Sequence, residues 1–310
     1  MATEKTYTQM RKEFYDSFEK KIVPKIKPFE AERKKTRALA TRVSAGFVLL
    51  SIILSLAPLF VPFTSSDNNS NLPMLCLVLA WLSWYFFKKN FENKIKKQIM
   101  PIVCACFGNL KWSEGSYPGG HVFKDSYVIP TYNSVSYDDI FQGVYKDVHL
   151  DIVEGRFTYK SGKNKSTVFQ GILVKLDMNK KFNSHTIIKP DSMLHMSPSR
   201  SLKHTVLEDV KFEKNYDVFT NDPVDARYLI TPSFMVRLNN MKTAFGVNKV
   251  SCAFHYNKLI IALPTNKDVF SICSLVKPID DSKQYYIMYE EIVSILKLID
   301  YFKLNQNIGL

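Results

Sequence analysis

The chain contains 310 residues, 46% of them hydrophobic and 23% charged, which as an average is the composition of an ordinary soluble protein. Its net charge of +13 and pI near 9.3 would by themselves suggest a nucleic-acid-binding protein. The charge distribution excludes that class, because +10 of the +13 lies in residues 1–42 and 88–100. Residues 101–310 show no zinc, helix-turn-helix or RNA-binding signature.

Two apolar runs near the amino terminus predict a transmembrane hairpin. Residues 43–63 form an uncharged run of 21 residues, which spans about 30 Å as a helix. Residues 72–87 form a second run of 16 residues, which ends in the aromatic residues typical of a membrane interface. Residues 64–71 between them are small or polar and predict the turn. The weaker alternatives are a signal peptide, which lacks a cleavage site here, and a helical hairpin buried in a soluble core.

The basic residues on either side of the hairpin predict its orientation. Lysines and arginines crowd both flanks and are absent from the turn, so the positive-inside rule places both termini in the cytoplasm. The same residues are the predicted contacts with the membrane surface, where each gains about 1 kcal/mol from anionic headgroups. They are Arg33, Lys34, Lys35, Arg37 and Arg42 before the first span, and Lys88, Lys89, Lys94, Lys96 and Lys97 after the second.

Apolar residues recur at helical spacing on both flanks of the hairpin. This predicts an amphipathic helix within residues 1–42 and a stalk helix over residues 88–108, with Pro24 and Pro101 bending or ending them. The two helices either pack together as a stalk or lie among the lipid headgroups, and periodicity does not separate these alternatives. The apolar stripes are Met10, Phe14, Phe18 and Ile22 before the first span, and Phe91, Ile95 and Ile99 after the second.

Residues 109–310 are predicted to form a cytoplasmic α+β domain. Its first half has short alternating runs separated by turn residues, which predict an antiparallel sheet that forms a meander. Later segments predict helices, and strands followed by helices are typical of the α+β class. The predicted strands are residues 148–159, 166–178, 184–190 and 209–219, with a hairpin at 250–264. The predicted helices run from Pro232, capped by Thr231 and stopped by Gly246, and over residues 285–302.

The segment DPVDAR gives the two predicted binding residues, Asp222 and Arg227. Asp222 stands where an N-cap is expected before Pro223, and Arg227 follows about one helical turn later. The alternative to a binding role is structural, with a cap and a salt bridge that fix the corner between a strand and a helix.

Three stretches of the chain resemble the bacterial DUF3137 family. They are STVFQGILVKLDMNKKFNSHTIIKPD, FEKNYDVFTNDPVDARYLITPSFMVRL and VSCAFHYNKLIIALP. The segment from Asp222 to Pro232 is the most specific part, Phe169 with Gly171 is weaker, and residues 192–206 have no match. The resemblance extends over nearly the whole chain.

This resemblance implies a two-span protein of the bacterial inner membrane with a cytoplasmic domain. Members are often encoded near LemA-type membrane proteins, which makes a LemA-type protein an implied partner. The family is one of unknown function, so the resemblance implies no reaction, no cofactor and no catalytic residue.

Motifs for catalysis are weak in this sequence. Residues 155–163 imitate a phosphate-binding loop, but the glycine spacing is wrong, and the five cysteines show no zinc pattern, so neither a cofactor nor a metal is expected. A Ser–His pair can be drawn from His195 or His204 with Ser197, Ser199 or Ser201, although such Ser-rich and Pro-rich segments are usually loops without chemistry.

Two hypotheses of function follow. The first is a non-catalytic binding or scaffold module on the membrane, which recognises a protein partner or lipid headgroups. The second is a membrane-anchored enzyme, such as a hydrolase that uses the carboxylates of Glu154, Asp177 or Asp222. A cavity lined by two of these carboxylates would favour the enzyme, whereas an exposed apolar patch would favour binding.

Overall fold

The computed structural model describes residues 7–60, 71–107, 109–178, 181–191, 197–279 and 282–301. The chain separates into a helical unit, Met1–Cys106 with Ser271–Tyr286, and a sheet unit, Phe107–Phe270 with Ile287–Leu310. Residues 271–286, predicted as part of the cytoplasmic domain, therefore cluster with the helical unit. The predicted turn lies outside the described residues except for Asn71, and so does His195.

The helical unit is built on three helices: α1 (Tyr7–Ser17), α2 (Val23–Phe60) and α3 (Leu72–Cys104). α1 passes into α2 through a π-helical turn, where the N–H of Val23 donates to the carbonyl of Phe18. The helical run continues through Pro24. Pro24 lies in the first turn of α2, where a backbone N–H has no acceptor within α2, so the missing N–H of proline costs no hydrogen bond of that helix. α3 likewise continues past Pro101 to Cys104, so the second predicted span and the predicted stalk form one helix.

Two helical segments are long and apolar enough to cross a membrane, Arg11–Ala57 and Leu72–Cys104. Only 11% of the most apolar window of each segment is buried, whereas a core helix of a soluble protein is mostly buried. Large apolar side chains such as Leu49, Ile53 and Trp81 are exposed along them. The two helices are compatible with a membrane-anchored protein.

Serine side chains join α2 to α3. The hydroxyl of Ser44 donates to the carbonyl of Ala80 at 3.0 Å, and that of Ser51 donates to the carbonyl of Pro73 at 2.8 Å. Small residues and interhelical hydrogen bonds are how helices associate in lipid, where burying apolar surface gives no advantage.

The apolar stripes of the flanking segments are buried within the helical unit. Phe18 packs on Tyr285 with ring centroids 5.0 Å apart, and Tyr15 on Tyr286 at 4.2 Å. Burial of the stripes favours stalk packing over a position among lipid headgroups. The buried members are Phe14, Phe18, Ile22, Phe91, Ile95 and Ile99.

The sheet unit is a single antiparallel sheet, and nine strands belong to it among the described residues, in the order β1-β2-β3-β4-β9-β8-β5-β7-β6. The strands are β1 (Lys111–Gly115), β2 (Ser134–Tyr145), β3 (Val148–Ser161), β4 (Asn164–Asp177), β5 (Thr186–Pro190), β6 (Lys203–His204), β7 (Tyr216–Thr220), β8 (Ser251–His255) and β9 (Lys258–Pro264). The helices after the spans are the 3₁₀ turn Ala105–Phe107, α4 (Gly120–Asp125), α5 (Val210–Glu213), α6 (Pro223–Leu229), α7 (Pro232–Ala244) and α8 (Ser282–Tyr301). The predicted α+β class is confirmed.

The strand order corrects the predicted meander. β2, β3 and β4 do follow one another, but β9 and β8 are inserted between β4 and β5. The run of five buried residues in β9 explains this placement, because a strand that is apolar on both faces needs neighbours on both sides and cover on both faces. Gly171 of β4 allows the pairing: its φ is +146°, and a Cβ there would clash with the carbonyl oxygen of Leu263 in β9.

Residues 209–219, predicted as one strand, instead form α5 followed by β7. The carboxylate of Asp209 accepts hydrogen bonds from the N–H groups of Lys211 and Phe212, which starts a helical turn before the alternation begins at Tyr216. The predicted helix capped by Thr231 and the predicted hairpin at 250–264 are present as α7 and β8–β9.

Both faces of the central sheet are covered. On one face α4 and the loop after it contribute to an apolar cluster with the strands, whose members include Phe123, Ile129, Val153, Phe157 and Leu173. An ion pair of 2.9 Å between Lys146, in the β2–β3 turn, and Asp300 ties the carboxyl-terminal part of α8 to the sheet.

Candidate binding site

β7 passes into α6 at Asp222, and the predicted helix cap is present there. The Asp222 carboxylate accepts hydrogen bonds from the N–H groups of Val224 at 3.0 Å and Asp225 at 3.1 Å. Asp225 in turn accepts a hydrogen bond of 3.3 Å from the N–H of Ser184, before β5. The Asp222 side chain is thus used to hold the corner between strand and helix.

Arg227 lies in the last turn of α6, at the other end from the cap. For that reason the alternative salt bridge between Asp222 and Arg227 is not among the ion pairs of the described residues. The exposed Arg227 side chain instead lines a groove of about 360 Å³. Its other lining residues are Leu207, Glu208, Asp209, Ile230, Pro232 and Met235.

Capped helix starts form the walls of this groove. Asp209 caps α5, and the hydroxyl of Thr231 accepts a hydrogen bond of 3.3 Å from the N–H of Phe234 at the start of α7. The N–H of Leu207 donates to the carboxylate of Glu213 at 2.7 Å, which fixes the chain before α5. These bonds fix the segments that line the groove.

Exposed valines accompany the groove. Val206, Val210 and Val236 adjoin lining residues in the sequence, and Val224 stands one turn before Arg227 on α6. Their exposed fractions are between 59% and 75%. Apolar side chains grouped on a surface beside a charged residue are typical of a protein-binding site. The sequence carried this signal only as scattered valines in polar segments.

Arg33, predicted to face the membrane surface, has a different place in the structure. It is only 4% exposed, and its guanidinium donates two bonds of 2.7 Å to the carboxylate of Glu30 and one of 2.9 Å to the carbonyl of Leu275. Glu30 also accepts a hydrogen bond from the N–H of Ile279. The bonds from Arg33 lower the pKa of Glu30 to about 2. Arg33 therefore fastens residues 275–279 to α2, because a guanidinium can serve a carboxylate and a carbonyl together.

The other residues predicted to contact the membrane surface differ in their exposure and in their partners. Lys96 is buried, and Lys94 forms an ion pair of 2.7 Å with Glu32. Lys34, Arg37 and Arg42 are exposed along α2, immediately before the apolar run, where they line an open surface groove. Lys35 and Lys97 are also exposed, while Lys88 and Lys89 are half-buried. Contact with headgroups stays a prediction for the exposed members.

The three carboxylates of the enzyme hypothesis serve separate local structures. Glu154 is buried in β3 and accepts a hydrogen bond of 3.3 Å from the N–H of Val269. Asp177 forms an ion pair of 2.7 Å with Lys258 across β4 and β9, and Asp222 caps α6. The groove beside Arg227 contains none of them.

The serines and His204 of the Ser–His hypothesis are also engaged locally. Ser197 donates to the carbonyls of Ser199 at 2.6 Å and Leu202 at 2.8 Å, and the hydroxyls of Ser199 and Ser201 bond to each other at 3.0 Å. His204 lies 3.4 Å from the carboxylate of Asp217.

Two polar clusters in the sheet unit were not indicated by the sequence. Tyr117 donates a hydrogen bond of 2.5 Å to Asp151, which is also paired with Lys175, and burial together with this bond raises the pKa of Tyr117. The residues come from a loop and two strands, so no local pattern connects them in the sequence.

The second cluster is acidic. Carboxylates of Asp138, Asp139 and Asp268 lie within 4.8 Å of one another, a spacing that could hold a metal ion. The buried Asp139 accepts a hydrogen bond of 2.7 Å from the indole of Trp112, so one of its oxygens already has a protein partner. Only the adjacent Asp138 and Asp139 were visible in the sequence.

Comparison with known proteins supports the family resemblance. The model of DUF3137, described as a protein of unknown function, matches residues 167–304. This segment contains β5 to β9, α5 to α7 and most of β4 and α8, so both Asp222 and Arg227 lie in the part that the DUF3137 family shares.

No curated protein matches the chain. A solved structure with some similarity is that of the mycobacterial trehalose monomycolate transport factor A, TtfA. The match has 8% sequence identity and a TM-score of 0.35, and it covers 62% of this chain and 88% of that one.

Proposed function

We propose that this DUF3137 protein is anchored in the bacterial inner membrane by α2 and α3, and that its sheet unit binds a protein partner in the cytoplasm through the groove beside Arg227. The observation that carries the binding proposal is the groove itself, whose lining combines four apolar residues with Arg227 and the acidic residues Glu208 and Asp209.

Three features support the membrane anchor. Both helices are long enough to cross a bilayer and expose their apolar side chains. Serine hydroxyls link them, as in membrane helix pairs. The basic residues that flank the hairpin favour cytoplasmic termini.

The chemistry of the groove indicates what its occupant carries. Leu207, Ile230 and Met235 offer apolar surface, and the cap of α6 leaves the Arg227 guanidinium without the Asp222 carboxylate. A partner segment with an apolar side chain and a carboxylate that meets Arg227, on the side away from Glu208 and Asp209, fits this arrangement, since arginine binds carboxylates in a bidentate manner. The LemA-type membrane proteins implied by the resemblance are the first candidates.

Site-specific photo-crosslinking in the full-length protein tests this proposal. We expect a crosslinking side chain at Val236, on the rim, to capture one membrane protein, and the same group at the exposed Val135 of β2 to capture none. Arg227→Glu is expected to abolish the Val236 product without changing the melting temperature. Equal products from both positions, or a product that survives Arg227→Glu, would refute the groove as the binding site. Mass spectrometry then decides whether the captured protein is of the LemA type.

A further inference from the structure

The β3–β4 hairpin extends beyond its neighbours in the sheet. Pairing of β2 with β3 ends at Thr158, and pairing of β9 with β4 ends at Gly171. Residues 159–166, named here the basic arm, therefore pair only with each other. The side chain of Asn133 makes two hydrogen bonds at the base of the arm. Its amide nitrogen donates to the carbonyl of Lys160 at 2.7 Å, and its oxygen accepts from the backbone N–H of Lys160 at 2.8 Å.

The basic arm and the strand that leads into it carry an unbalanced charge. Arg156, Lys160, Lys163 and Lys165 are all exposed, and no acidic residue occurs between Glu154 and Asp177. Residues 101–310 have 25 basic and 21 acidic side chains, which gives a net charge of +4. The summed charge of these four residues equals that net charge. The charge of the sheet unit is thus concentrated at one projection.

The register within the arm places two of these charges directly opposite each other. Lys160 pairs with Lys165, and like charges at opposed positions of an antiparallel pair destabilise it. Arg156 lies on the same face of β3 as Lys160, because the two are four residues apart in a strand. An anionic ligand on this face would remove the repulsion between Lys160 and Lys165. The arrangement therefore favours binding of an anion.

Beside the lysines, the ring of Tyr159 is 44% exposed on the opposite face of the arm. Tyrosine is enriched at membrane interfaces, where its ring meets acyl chains and its hydroxyl meets water. α3 continues for 17 residues, about 25 Å, past the apolar run that ends at Phe87, and the sheet begins at Lys111. Any anchoring of the chain in a bilayer raises the effective concentration of the arm near lipid.

We propose that the basic arm binds anionic phospholipid headgroups and gives the sheet unit its own contact with the membrane. This inference rests on the proposed membrane anchor, because only an anchored chain keeps the arm close to lipid. Nucleic acid is the less suitable ligand, because the rest of residues 101–310 is neutral overall.

A fluorescent label at Ser161→Cys tests the proposal in the full-length protein, in which Cys106 is replaced by Ser and the other four cysteines are buried. The protein is reconstituted in vesicles of phosphatidylcholine alone or of phosphatidylcholine mixed with phosphatidylglycerol. We expect a blue-shifted emission and quenching by lipid-borne quenchers only in the anionic vesicles, both reversed by high salt.

Matched charge variants decide the mechanism. Substituting Lys160, Lys163 and Lys165 by Gln is expected to abolish the shift. Substituting Lys203, Lys211 and Lys214 by Gln removes the same charge from other exposed positions of the sheet unit and is expected to leave the shift intact. Equal emission in neutral and anionic vesicles, or a shift that survives the first triple variant, would overturn the proposal.

The same samples separate failure of the arm from failure of the anchor. Flotation with neutral vesicles after an alkaline wash reports anchoring, whatever the label does. If the chain does not float, the membrane anchor is wrong, and the label in anionic vesicles still tests the arm. A shift caused by added single-stranded RNA but not by phosphatidylglycerol would overturn the lipid assignment in favour of nucleic acid.

Discussion

The helical unit and the sheet unit use apolar residues in opposite ways. In the sheet unit, residues such as Phe157 and Leu173 are fully buried between the sheet and its covering segments. Along α2 and α3, residues such as Leu49 and Trp81 are exposed, while serine hydroxyls make the contacts between the helices. The difference is compatible with a membrane-anchored protein, in which exposed apolar side chains of α2 and α3 face lipid.

The largest expected effect concerns the side of the membrane that each position faces. In a variant without native cysteines, Ser66→Cys is expected to react with an impermeant thiol reagent in intact cells, and Ser161→Cys is expected to react only after lysis. The reason is the excess of lysine and arginine on both flanks of the hairpin. Reaction at Ser161 and not at Ser66 in intact cells would reverse the orientation.

A matched pair of leucine-to-alanine substitutions compares the surroundings of apolar side chains in the two units. Leu173→Ala in the sheet core is expected to lower the free energy of unfolding by about 3 kcal/mol, since it leaves a cavity. Leu49→Ala, at a residue 60% exposed on α2, is expected to change it by less than about 0.5 kcal/mol in detergent. Denaturant titration of the solubilised chain provides the comparison, and equal losses would show that α2 is a core helix.

Arg33 is a buried charge in the helical unit and is held by hydrogen bonds. Arg33→Ala is expected to cost about 3 kcal/mol, because the Leu275 carbonyl loses its Arg33 donor and the Glu30 carboxylate keeps only the N–H of Ile279 and the distant Lys34. Lys34→Ala, one residue on and exposed, is the control and should be nearly neutral.

The same pair predicts a pH dependence. The pKa of Glu30 is lowered from 4.5 to about 2 in the folded chain. Its contribution to stability is thus fully present above about pH 4.5 and is lost as the pH falls toward 2. In Arg33→Ala this part of the acid dependence should be reduced, because only the N–H of Ile279 and Lys34 still lower the pKa of Glu30, and an unchanged acid profile would contradict the role of the pair.

Within the sheet unit, we expect Asp222 to contribute to stability and Arg227 to contribute to partner binding. Asp222→Ala removes a helix cap and should lower the free energy of unfolding by about 1 kcal/mol. Arg227→Ala should leave stability within about 0.5 kcal/mol of wild type while weakening partner capture. If Asp222→Ala instead keeps full stability and loses capture, the carboxylate is itself part of the binding site.

The smallest effect is expected at the helix–helix contact. Ser51→Ala removes the hydrogen bond to the carbonyl of Pro73 and should cost about 0.6 kcal/mol in a lipid-like medium. Ser55, whose hydroxyl bonds to the Ser51 carbonyl within the same helix, is the matched control, and Ser55→Ala should be neutral. A larger loss at Ser55 would argue against serine-mediated packing of α2 on α3.

Some sites could be anticipated from the sequence because their chemistry is local. The cap at Asp222 depends on four consecutive residues, Asp222 to Asp225, and Pro223 at the first helical position makes it recognisable in the sequence. The groove beside Arg227 was not predictable, since Leu207, Ile230 and Met235 lie on three segments that only the fold brings together. The buried position of Arg33 was hidden for the same reason, because its carbonyl partner is 242 residues away.

The sequence by itself determined the apolar spans, the basic flanks, the caps at Asp222 and Thr231 and the hairpin at residues 250–264, because each depends on neighbours within a few residues. It also determined the DUF3137 assignment, which residues 167–304 confirm. Only the tertiary structure decided the strand order, in which β9 enters beside β4 through the close approach at Gly171. It also decided that Lys160 faces Lys165 across the basic arm, since strand register depends on pairing between segments and not on the composition of either.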